Sequence, residues 1–210
     1  MDGQDIYSAF FGQSSFAYRS IVHSVCAVKI EKGLPLDVLA PLGCGIQTGA
    51  GTILNILKPT VGSSLVIFGA GAVGLAGVMA AARFTPASVI IAVDIVDAKL
   101  ELAKELGATH AINSKGVNVV DEIKSLTNGD GADFAYDATG NIQAIQNMIE
   151  AAASNAVIAT VGSPSRGQKV FIEPATWLQR GISYVGSCQG SAVPQQVIHF
   201  HTISPSGTTF

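Results

Sequence analysis

The run LVIFGAGAVGLAGVMAAARF, from Leu65 to Phe84, constrains this chain more than any other stretch. It carries no charge before Arg83, and its length comes close to the roughly 18 apolar residues of a membrane span. Its internal order points elsewhere. Leu65–Phe68 is a short β-favouring run, Gly69, Ala70, Gly71, Ala72, Val73 and Gly74 follow at once, and an Ala-, Leu- and Met-rich helical segment comes after. Strand, glycine turn and helix in that order is the context in which G-x-G-x-x-G binds a dinucleotide. Gly69 permits the tight turn, Gly71 lets backbone approach a pyrophosphate, and Gly74 lets helix pack on strand. The helix start presents free N–H groups and a positive dipole end to the phosphates.

The next strand supports this reading. VIIAVD ends in Asp94, 20 residues after Gly74, where an acid accepts the hydroxyls of an adenosine ribose. A carboxylate there repels a 2′-phosphate, and Ile95 and Val96 supply no Arg to receive one, so NAD is expected over NADP. Lys99 lies one helical turn on, either beside the ribose or as a solvated helix-face lysine.

From Ser63 onward strands and helices alternate. Strands are expected near 64–68, 88–93, 110–112, 132–136, 155–160 and 182–185. Helices are expected near 72–84, 96–106, 117–126, 140–152 and 174–179. Six strands in that alternation give an α/β fold, a Rossmann doubly wound six-stranded parallel sheet. Ahead of it, PLDVLAPLGCGIQTGAGTILNIL reads as helical and stops at Pro59, and residues 1–34 read as two extended segments around a turn. The low charged fraction, 13% of 210 residues, suits strands buried on both faces. A net charge of -3 gives no electrostatic reason to expect nucleic acid or an anionic membrane. Cys26, Cys44 and Cys188 are widely spaced, without a C-x-x-C, so neither a disulfide framework nor a zinc knuckle is suggested. The acidic start lacks a signal-peptide pattern, and a soluble, cytoplasmic protein is expected. Methyltransferases share the glycine loop and strand-end acid, but FAYDATG at the fourth strand carries no recognisable substrate-base motif.

LGCGIQTGAGTILN, GAGAVGLAGVMAA and VDIVDAKLELAKELGATHAIN together resemble the medium-chain, zinc-dependent alcohol dehydrogenases, above all the microbial NAD-linked branch acting on aryl or allylic alcohols. The resemblance runs from about Ser8 to about Gln196. It implies that Cys44 is one catalytic zinc ligand, that Thr48 lies near the nicotinamide and that Val73 stands behind its ring. It implies that Asp94 and Lys99 hold the adenosine ribose, that Val161, Gly162 and Ser163 meet the nicotinamide carboxamide, and that Phe16 walls the substrate pocket. It further implies that Tyr184 and Val185 fall in the strand that, in this family, pairs across a dimer axis, so a homo-oligomer is expected.

The implied activity is hydride transfer between an alcohol or aldehyde and NAD(H). The implied organisation is a remnant of a GroES-like, barrel-like catalytic domain over 1–34, the NAD-binding domain over 35–190 and a divergent tail over 191–210. Against the family pattern the chain is expected to be truncated at both ends, with the partners of Cys44 missing and catalysis impaired. His23, His110, His199 and His201 are expected as surface, loop or tail residues. A non-catalytic dinucleotide-binding module and a zinc-free, quinone-reductase-like oxidoreductase are the alternatives.

Overall fold

The computed structural model describes residues 18–194. The chain divides at Pro35/Leu36 into two compact units. In the first, the described residues form a single 3-10 turn at Ser24–Cys26, closed by Cys26 N–H donating to His23 O at 2.8 Å. Of the extended structure expected over 1–34, the part over 1–17 lies outside the described residues and the part from 18 onward does not form. Cys26 therefore sits on a turn, exposed, and not on a strand. An extended segment needs a neighbour for its backbone groups, and no strand pairing involves this stretch.

The second unit begins with α1 (Leu36–Leu39), a 3-10 turn over Ala40–Gly43 and α2 (Gly45–Gly51). A π-helical segment, Thr52–Leu57, continues it. Lys58 adopts a left-handed conformation (φ 53°) and its N–H donates to Ile53 O, ending the helix just before Pro59. Proline disfavours helical backbone at the residue before it. The α/β series follows: β1 (Ser64–Phe68), α3 (Ala72–Phe84), β2 (Val89–Asp94), α4 (Asp97–Glu105), β3 (His110–Asn113), α5 (Val119–Leu126), β4 (Ala132–Asp137), α6 (Ile142–Ala151), β5 (Ala152–Thr160), α7 (Pro174–Arg180) and β6 (Ser183–Gly186).

All six strands are parallel, in the order β3-β2-β1-β4-β5-β6. The chain winds outward from β1 to β3, then crosses to β4 and winds the other way. The reversal opens a crevice at the carboxyl ends of β1 and β4, where such sheets bind ligands. Every residue of β1 is buried, as a central parallel strand requires. Leu65 and Ile67 pack with Ile53, Leu57, Val78, Leu100 and Ala103 on one face. Val66 and Phe68 pack with Ile123, Ile145 and Met148 on the other. The alternation follows from the period of two along a strand.

Two local differences from the sequence expectation have physical causes. β5 starts at Ala152, three residues before its expected start, and α6 ends at Ala151, one residue early. Ala152 pairs with Ala132 across an irregularity in the β4–β5 register, and Asn155 takes a positive φ of 61°. His110, expected as a surface or loop residue, opens β3 half-buried, its Nδ1 2.9 Å from the Thr109 hydroxyl.

Helix α2 lies unusually close to α3. A Cβ on Gly49 would stand 2.0 Å from Val73 O and 2.9 Å from Gly77 N, both backbone atoms that cannot rotate away. Gly49→Ala is therefore expected to lower stability by about 1–3 kcal/mol, the usual cost of overpacking. Thermal unfolding checks it, and an unchanged melting temperature would contradict the close approach.

Candidate functional site

The loop after β1 is built by its glycines. Gly69 takes φ +96°, and its N–H donates to Val93 O at 2.7 Å, extending the sheet one residue beyond Phe68. Gly74 is buried one turn into α3, where a Cβ would stand 1.7 Å from Gly69 O. Gly71 is different. It is the N-cap of α3 in extended conformation, offers no capping side chain, and its Cβ direction meets open space. The amides of Ala72, Val73 and Gly74 have no carbonyl one turn back inside the helix. Gly71 O takes the Leu75 N–H at 2.8 Å, closing the turn. The start of this 13-residue helix is thus uncapped by any side chain, with Gly71 and Ala72 exposed and open space above Gly71 for an anion.

Asp94 closes β2 beside this loop. Its Oδ2 accepts from Ala70 N–H at 2.7 Å, and its Oδ1 accepts from Ile95 N–H at 2.7 Å and Val96 N–H at 3.0 Å. The carboxylate is thereby oriented by three backbone amides, one of them inside the glycine loop. Lys99 lies exposed on the first turn of α4.

The crevice's other wall is made by the loops after β4 and β5. Val161 and Gly162 both donate N–H to Asp137 O at 2.9 Å. Gly162 has no room for a side chain, since a Cβ would stand 2.1 Å from Gly140 N, and the Ser163 backbone lies against Gly140. The Asp137 carboxylate, 0% exposed, accepts from the Thr139 amide and hydroxyl and from Gly140 N–H at 3.0 Å. Asp137 escaped the sequence reading. An acid at a strand end before Thr and Gly is an Asx-turn signal, and FAYDATG contains it.

Thr48 is buried on α2, whose Gly45 and Gly49 face Ala72 and Val73. The Thr52 hydroxyl lies 2.7 Å from Thr48 O and 2.9 Å from Ser187 Oγ, linking α2 to the segment after β6. Cys44 caps α2, exposed and unpaired with another cysteine. The peptide carbonyls on either side of its α-carbon are both held, Gly43 O by Gln47 Nε2 at 3.0 Å and Cys44 O by Thr48 N–H at 2.9 Å.

Three side-chain ligands are the usual protein share of a catalytic zinc site. Among the described residues no group of three His, Cys, Asp or Glu is placed to hold a metal ion. The described donor set, Cys44 included, does not fit zinc. Phe16, His199 and His201 lie outside the described residues, as does most of the 191–210 segment. No helix among the described residues is long and apolar enough to cross a membrane.

The structure thus gathers Gly69, Gly71, Ala72, Val73, Gly74 and Asp94 along the carboxyl edge of β1 and β2, with Val161, Gly162 and Ser163 on the wall beyond β4. The sequence pattern of the zinc-binding dehydrogenases matches residues 72–202, more than half of the chain. A probable alcohol dehydrogenase from a Pseudomonas species is 35% identical over 195 residues, covering 90% of this chain and 61% of that protein. Geraniol dehydrogenase of Castellaniella defragrans is 37% identical over 197 residues, covering 93% and 52%. The crystal structure of benzyl alcohol dehydrogenase from Acinetobacter calcoaceticus superposes with a TM-score of 0.84 at 45% identity, covering 90% of this chain and 52% of that one. This chain belongs to the zinc-binding dehydrogenase family. It spans about half the length of the relatives it matches. Family membership removes the methyltransferase alternative.

Gly71 and Gly74 are expected to fail in opposite ways. Gly71→Ala fills the open cradle and blocks dinucleotide binding, while costing at most about 1 kcal/mol, the difference between Gly and Ala at an N-cap. Gly74→Ala forces α3 off Gly69 and costs about 1–3 kcal/mol or more. Melting curves and nucleotide titrations on both variants separate the two roles. Equal behaviour would contradict the assignment.

Proposed function

We propose that this chain binds NAD(H) and supplies the cofactor half of an alcohol dehydrogenase, serving hydride transfer between an alcohol or aldehyde and NAD. The observation that carries the reading is the junction of an open Gly71 cradle with a strand-end carboxylate, Asp94, bonded to the same loop at Ala70 N–H. The uncapped amides of α3 hold the pyrophosphate. Asp94 accepts from the adenosine ribose, with Lys99 beside it, and repels a 2′-phosphate, which favours NAD over NADP. Val73 backs the nicotinamide, Thr48 lies alongside, and the Val161–Ser163 backbone receives the carboxamide.

In the reaction the cofactor carries the hydride and the protein orients it. Zinc, when bound in this family, would polarise the alcohol oxygen. Cys44 is the one described residue suited to that role, and no step here depends on it. The described donor set supports a second reading, dinucleotide binding without turnover. Substrate contact through Phe16 belongs to the proposal as well. Its β6 edge, unpaired among the described strands, fits pairing with a second copy through Tyr184 and Val185, and hence a homo-oligomer.

NADH is expected to bind more tightly than NADPH in fluorescence titrations. Asp94→Ala should weaken NADH strongly, because it removes charge-assisted hydrogen bonds worth about 1.5–3 kcal/mol each. Equal affinity for the two nucleotides, untouched by Asp94→Ala, would refute the cofactor assignment. Zinc-dependent NADH formation from benzyl alcohol, abolished by Cys44→Ser, would decide for the full dehydrogenase reading. Nucleotide binding without it would decide for the second.

A further inference from the structure

Tyr136, on β4, is the largest side chain in the described core with no exposure at all (0%). Its hydroxyl lies 3.0 Å from Val73 O and 3.3 Å from Gly74 O, both on the first turn of α3. Carbonyls only accept, so the phenol is the donor. Burial, with the negative charge of Asp137 adding to it, pushes its proton affinity far above the ordinary tyrosine range. The hydroxyl therefore stays a donor at every working pH. Gly77 makes room for it, since a Cβ there would stand 2.0 Å from the phenol oxygen. Gly49 presses on the same Val73 carbonyl from α2.

The consequence reaches the front of the helix. The peptide that carries Val73 O carries Gly74 N–H at its other end, one of the three first-turn amides without an intrahelical partner. The peptide that carries Gly74 O carries Leu75 N–H, which closes the N-cap turn on Gly71 O at 2.8 Å. A hydrogen bond accepted by a carbonyl polarises its peptide and strengthens the amide at the far end. It also fixes the rotation of that turn against the sheet. A phenylalanine would fill the same core volume and do neither.

We propose that Tyr136 is a positioning residue for the dinucleotide pyrophosphate, acting through the Val73 and Gly74 carbonyls to hold and polarise the first turn of α3. This rests on the dinucleotide reading given above. Tyr136 touches no phosphate; it sets the turn whose exposed start, Gly71 and Ala72, faces the cradle.

The test compares ADP-ribose, which carries a pyrophosphate, with adenosine, which carries none, by NMR titration of the full chain. Tyr136→Phe is expected to weaken ADP-ribose about three- to tenfold and to leave adenosine within about twofold. In the unliganded variant the Gly74 amide proton should shift upfield, as a less polarised Val73–Gly74 peptide requires. Gly77→Ala keeps the phenol but displaces its oxygen from Val73 O, and should show the same selective loss should Tyr136→Phe fail to fold. Equal loss for both ligands, or no loss for either, would overturn the proposal. Absence of ADP-ribose binding in the unaltered chain would instead remove the dinucleotide reading, and the proposal with it.

Discussion

Everything at the carboxyl edge of this sheet depends on how near α3 comes to β1. The contact is Gly74 against the Gly69 carbonyl, where even a methyl group would sit 1.7 Å from oxygen. A helix drawn in that far aims its first amides over the strand end. The same depth brings Val73 O within reach of Tyr136 and of Gly49. Three elements, α2, α3 and β4, are thus registered through one peptide carbonyl. Small residues permit the approach and a single buried hydroxyl fixes it.

The electrostatics follow from that geometry. The helix end is positive and uncapped, so it favours an anion. Asp94 accepts from the neighbouring Ala70 amide at 2.7 Å and supplies a negative group at the end of β2. On the other side the Asp137 carboxylate is buried and held by Thr139 and Gly140. Its main-chain oxygen holds Val161 and Gly162. One acid orders the loops after β1 and β2, and the other those after β4 and β5. Both do so by accepting backbone N–H groups from the residues just beyond the strand ends.

Much of this was legible in the sequence. The strand, glycine turn, helix and strand-end acid lie within thirty residues of one another, and local pattern decides each. β1, α3 and β2 accordingly fall where the periodicity places them. Other features were not legible because they depend on partners far along the chain. AAASNA suits helix or strand equally, and only pairing of Ala152 with Ala132 makes it strand. Nothing local marks Thr52–Leu57 as π-helical or Ser24–Cys26 as a turn. Tyr136 reads as an ordinary core aromatic until Gly77 and Val73 are seen beside it. Asp137 was visible only as a turn signal, since Val161 and Gly162, which its main-chain oxygen holds, lie more than twenty residues on.

The central claim is that the first turn of α3 and the loop before it form the phosphate site of a dinucleotide. The most direct measurement is an amide-resolved NMR titration of the unaltered chain with ADP-ribose. The expected result is saturable shifts greatest at Ala70–Gly74 and at Asp94–Val96. Saturable shifts centred elsewhere, or none at all, would contradict the account.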